Sequence, residues 1–132
     1  MKQRVRKIDR ILKVQKHLQK EAELKLSKLE REAMDLKAAQ EAIIETMNDH
    51  ETLHGLFVDV ASRRLQALAA QETRVETAKT AQKAVALDRG MQAKRTEKML
   101  SGLKDQQRRD EEKKSLASIL EAMVKGKSAS FP

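Results

Sequence analysis

The sequence predicts an all-α protein, a long antiparallel two-helix coiled-coil hairpin. Three observations carry that expectation. The 132 residues are 36% charged, with two aromatics, one proline and four glycines. A mix dominated by Ala, Glu, Lys, Leu and Arg is that of coiled coils and long helices rather than of ordinary globular cores. An apolar stripe then repeats at heptad spacing from the start of the chain, and it breaks once, near the middle.

The stripe defines the first helix, expected over about 3–50. Alternating steps of three and four from Val5 reach Ile8, Leu12, Gln15, Gln19, Ala22, Leu26, Leu29, Ala33, Leu36, Gln40, Ile43 and Met47. Ten of these thirteen are apolar, the mark of a coiled-coil seam. Ile11 and Leu18 widen it near the N-terminus. The three glutamines weaken the seam and fix its register.

The regularity falters at Asn48-Asp49-His50-Glu51 and again at His54-Gly55. Glycine suits the left-handed position just past a helix end, and Asp59 or Ser62 would cap the next helix. The reversal is therefore expected within about 48–60 and the second helix over about 60–124. Its apolar residues (Leu65, Leu68, Val75, Ala78, Val85, Leu87, Met91, Met99, Leu100, Leu103, Ala117, Leu120 and Val124) hold no single heptad register. They drift as insertions in a coiled coil drift. Gly90 and Gly102 mark bends or close approaches, while Met47, Met91 and Met99 read as packing residues. Together the two helices make one domain over 1–125, and 126–132 read as a disordered tail.

Charge supports the hairpin. Residues 1–20 carry a net +7, residues 21–62 a net −6 and residues 63–132 a net +7. Folding back near Gly55 lays the acidic stretch against a basic one and brings the two basic ends together. The rival, a parallel dimer of one uninterrupted helix about 190 Å long, sets like charges side by side along its length.

Several function classes fall away. Without cysteine there is no disulfide and no thiolate metal site. No apolar run has the length of a membrane span, and the charged first twenty residues lack a signal-peptide core. His50-Glu51-Thr52-Leu53-His54 matches the H-E-x-x-H zinc pattern, but a zinc protease needs a third ligand and a cleft. Two histidines near a solvated turn are the simpler reading. Gly126-Lys127-Ser128 resembles the end of a phosphate loop, yet Glu121 stands where its first glycine belongs. His17 reads as solvated. No catalytic residue, metal ligand, cofactor or small-molecule substrate is expected. The bases from Arg4 to Lys20 would suit nucleic-acid phosphates, but no aromatic is available to stack on bases.

The whole pattern resembles the FliJ/YscO-like stalk proteins of flagellar and type III export. The likeness lies in a small basic chain, an opening amphipathic helix (Lys2-Gln-Arg-Val-Arg-Lys-Ile-Asp-Arg-Ile-Leu-Lys-Val), a mid-chain reversal and a second long helix. It implies a non-enzymatic stalk whose paired termini enter an export ATPase ring. Other parts of the hairpin would contact the membrane export gate and substrate chaperones. The ATPase-facing residues would be Arg4, Arg6, Lys7, Arg10, Arg108, Arg109, Lys113 and Lys114. The gate- or chaperone-facing residues, assigned by layout, would be Ile43, Ile44, Met47, Leu56 and Phe57. The expected location is the cytoplasm, or the inner face of the cell membrane reached through partners only. A generic coiled-coil scaffold or dimeric tether and a basic nucleic-acid-binding helix are the alternatives.

Overall fold

A computed structural model describes residues 2–49 and 54–129. They form two helices that pack against each other, α1 (Lys2–Asp49) and α2 (His54–Ala129), with no strand among the described residues. Strong helix formers fill both, and the only proline is at position 132. Threonines fit within the helices by turning back on the backbone. The hydroxyl of Thr46 donates to the Ala42 carbonyl at 2.8 Å, and that of Thr77 to Thr73 at 3.0 Å.

Every one of the thirteen positions counted from Val5 to Met47 is buried or half-buried on α1. Burial on α2 follows an equally regular line. It passes through Val58, Ala61, Leu65, Leu68, Glu72, Val75, Lys79, Gln82, Ala86, Arg89, Ala93, Thr96, Leu100, Leu103 and Gln107 in unbroken steps of three and four. This corrects the expectation of a drifting register. Six of the fifteen positions are polar, so the apolar residues alone do not reveal the line. Val85, Leu87, Met91 and Met99 instead lie on exposed faces. Neither Met91 nor Met99 is a packing residue, whereas Met47 is half-buried. Leu18 does widen the α1 seam, but Ile11 is half exposed.

The expected boundaries also move. α2 begins at His54 and runs to Ala129, so 126–129 are helical where a tail is expected. Gly55 lies inside the first turn of α2, and no described glycine has a positive φ. A first-turn glycine leaves amide groups that lack an intrahelical partner in any case, so little is lost there. Asp59 and Ser62 lie within α2 rather than capping it; Asp59 pairs with Arg63 at 3.3 Å. Residues 50–53, including His50 and Glu51, fall outside the described residues.

By their contacts the residues cluster in two units. One is Lys16–Gly90. Here Ala33, Leu36 and Val75 form a buried cluster flanked by Leu29 and Leu68. Gln40 Nε2 donates to Glu72 Oε2 at 2.6 Å, and Gln82 Nε2 to the Ala22 carbonyl at 2.9 Å. The α2 partner number thus falls as the α1 number rises. Gly90 is a close approach, since an added Cβ would sit 3.4 Å from the Gln19 amide. Gly102, in the other unit, has open space around it.

The second unit comprises Met1–Gln15 and Met91–Pro132. Its core is Ile8, Leu12, Ala93 and Leu100, with Val5 and Leu103 packed on it. Gln15 Oε1 is buried there without a hydrogen-bond partner, a loss of about 1–3 kcal/mol for such an acceptor.

Two substitutions test this description by thermal unfolding followed by circular dichroism. Leu36→Ala should destabilise by about 2–3 kcal/mol, toward the low end for a leucine truncated in a core, while Met99→Ala, at an exposed position, should change stability by less than about 0.5 kcal/mol. Gln15→Leu should raise the midpoint, because it removes an unpaired acceptor from an apolar line. Equal effects of Leu36→Ala and Met99→Ala, or a lower midpoint for Gln15→Leu, would contradict the seam.

Candidate interaction surfaces

The two surfaces singled out by the sequence lie in different units. All eight proposed ATPase-facing residues belong to the unit formed by Met1–Gln15 and Met91–Pro132, and all eight are exposed. That unit holds sixteen Lys and Arg against seven Asp and Glu, a net +9. The Lys16–Gly90 unit holds twelve against thirteen, a net −1. Virtually all the net positive charge of the chain therefore resides in one unit. Heptad counting explains the exposure. Arg6, Lys7 and Arg10 fall between the seam positions Val5, Ile8 and Leu12, on the side turned to solvent.

The basic surface is not uniform. Lys2 and Gln3 share a shallow recess of about 370 Å³ with Gln107, Asp110, Glu111 and Lys114. This recess brings the first turn of α1 beside α2 and sets two carboxylates, Asp110 and Glu111, among the bases. Arg108 leans on Asp105 at 3.6 Å and Lys13 on Asp9 at 3.3 Å. Both pairs are exposed and local, so each contributes a few tenths of a kcal/mol. They leave Arg4, Arg6, Lys7 and Arg10 as an exposed cationic group on α1.

The apolar surface draws on both helices. Ala42, Ile43 and Thr46 of α1 and Phe57, Val60, Ala61 and Arg64 of α2 line an open recess of about 230 Å³. Ile43 and Phe57 are thus brought together. Ile44 stands half exposed and Met47 half-buried; the side chain of Leu56 lies outside the described set. Sequence reading missed Ala42, Thr46, Val60, Ala61 and Arg64. Val60 carried the available signal, an aliphatic residue one helical turn from Phe57.

No group of three or more His, Cys, Asp or Glu that could hold a metal occurs among the described residues. No described helix is long and apolar enough to cross a membrane. His17 is exposed. Gly126-Lys127-Ser128 lies within α2, with helical backbone rather than a loop. Comparison of the chain with family models, with curated proteins and with solved structures finds no match.

Proposed function

We propose that the protein is a non-enzymatic coiled-coil stalk of a type III export apparatus, flagellar or injectisome. Its two helices would pair as an antiparallel hairpin. Its basic unit would enter an export ATPase ring, and the Ile43–Phe57 recess would face the export gate or substrate chaperones. One observation carries the reading, the net +9 of the unit that contains both the start of α1 and the end of the α2 seam. Concentrated cationic charge raises association rates with an acidic partner and fades with salt. The descending order of paired residues, Ala22 with Gln82 and Gln40 with Glu72, supports the antiparallel hairpin. So does the unbroken three-four spacing of buried positions on both helices. The likeness to FliJ/YscO-like stalks rests on the sequence pattern, and the location in the cytoplasm or at the inner membrane face follows from that assignment.

The architecture is tested with spin labels at positions 5 and 107, both in the basic unit. Paired helices lie 8–10 Å apart, so the labels of one chain should be within about 20 Å once their linkers are added, in a protein of monomeric mass. Dimeric mass with intrachain distances above about 60 Å would establish the parallel dimer instead.

Function is tested by reversing Arg4, Arg6, Lys7 and Arg10 to glutamate. All four are exposed and lie off the seam, and glutamate is a good helix former, so helicity should persist. Binding to a purified export ATPase should fall on the order of tenfold or more, the equivalent of about 1.4 kcal/mol. Undiminished ATPase binding by a fully helical variant would refute the ring-facing assignment. Salt-sensitive binding of the unaltered chain to DNA or RNA, with none to the ATPase, would establish the nucleic-acid alternative.

A further inference from the structure

The covered line on α2 ends at Gln107, and every residue from Arg108 to Gly126 is exposed. Within that segment Leu116, Ile119, Leu120, Met123 and Val124 are 56% to 66% exposed. Their spacing (i, i+3, i+4, i+7, i+8) places them on one face of the helix. This face is not a continuation of the seam. Extending the α2 register past Gln107 reaches Asp110, Lys114, Ala117, Glu121 and Val124. Four of the five aliphatic residues lie off that line, so the stripe is turned away from the direction in which α1 is met.

The surroundings of the stripe are basic and small. Lys113 stands one turn before Leu116 on the same face, and Lys114 and Lys125 lie on the opposite face of the helix. Glu121 is the one acid between 113 and 126 and shares that opposite face with Ser118, while Ala117 borders the stripe on one side and Ser115 and Gly126 border it on the other. Upstream, Asp110 and Glu111 share their recess with Lys2 and Lys114; Glu112 is exposed.

We infer that this segment of α2 lies on an anionic lipid surface. The stripe would be sunk at the boundary between headgroups and acyl chains, Lys113 would reach back from its edge to lipid phosphates, and Lys114 and Lys125 would add positive charge on the headgroup side. An amphipathic helix with a basic polar face binds a membrane in this way, and a lysine stem can lie along apolar surface while its ammonium group stays in water. An apolar helical face of this size seldom holds a membrane alone. The second signal is the net +9 of the unit to which it belongs, complementary to anionic headgroups. This contact is direct, and because it draws on Lys113, Lys114 and the same +9 unit assigned to the ring, lipid and ring would be alternative partners of that unit.

Two other occupants fit less well. A second copy would bring one net +9 unit against another, which like-charge repulsion opposes. A shaped protein groove is usually filled by a Trp, Tyr or Arg anchor, and the stripe is wholly aliphatic in a chain with no Trp or Tyr. A layer of similar aliphatic side chains suits a fluid medium.

The experiment is co-sedimentation of the full chain with vesicles, compared for pure phosphatidylcholine and for an equal mixture of phosphatidylcholine and phosphatidylglycerol. The mixed vesicles should bind at least tenfold more tightly. The gain should vanish on going from about 0.1 M to about 1 M salt, where the screening length falls from about 10 Å to about 3 Å. Ile119→Ala/Leu120→Ala keeps the net charge and the strongest helix former, so it should retain helicity by circular dichroism yet bind the mixed vesicles at least tenfold more weakly. No binding of the unaltered chain to mixed vesicles would overturn the inference. Undiminished binding by the double variant would too, since the bases alone would then suffice. A concentration-dependent dimer that the double variant abolishes would replace the lipid with a second copy.

Discussion

Two helices lying side by side share a single line of contact, and most features of this molecule follow from that. A helix in a globular core is covered on several sides, but here most residues either fall on the line or face water, and a few such as Leu18 and Glu76 are half-buried beside it. No large side chain is completely buried among the described residues, and four of the nine buried residues are alanines: Ala22, Ala33, Ala61 and Ala93. Alanine contributes little apolar area, yet it lets two backbones approach closely. The line also admits polar occupants that a thicker core would reject. Arg89 and Lys79 lie on it half-buried, and long cationic side chains can pack their stems against a neighbouring helix while their charged ends remain hydrated.

The same constraint decides what the sequence reveals. On α1 the thirteen counted positions coincide with the covered line, because ten are apolar and the others are glutamines at the right spacing. On α2 the line is equally regular but carries Glu72, Lys79, Gln82, Arg89, Thr96 and Gln107, while exposed aliphatic residues lie beside it. A search for apolar periodicity follows Val85, Leu87, Met91 and Met99 and loses the register. The information lies in the partner, as where Gln40 of α1 meets Glu72. The start of α2 was obscured for a different reason. Gly55 and its polar neighbours look like a break, but glycine in a first turn costs less than glycine in a helix interior.

Surface features were legible in proportion to how local they are. The exposed bases of α1 follow from heptad counting alone. The carboxylates Asp110 and Glu111 beside Lys2 do not, because their placement depends on how far α2 runs past the first turn of α1. The recess at Ile43 and Phe57 likewise takes residues from both helices. Charge partition bears on the proposed role: a nearly neutral unit carries the apolar recess, and a strongly cationic one carries the residues proposed to face the ring. Recognition at the two would answer differently to ionic strength.

The polar stretch of the α2 line has a consequence for local opening. Between Val75 and Gly90 the covered positions on α2 are Lys79, Gln82, Ala86 and Arg89, with no branched aliphatic or aromatic side chain. Gln82 holds this stretch by donating to the Ala22 carbonyl, where Val75 is held by packing in a buried cluster. Segments with few buried apolar contacts open more readily than packed ones. Backbone amides from Lys79 to Arg89 would therefore exchange with solvent faster than those around Val75.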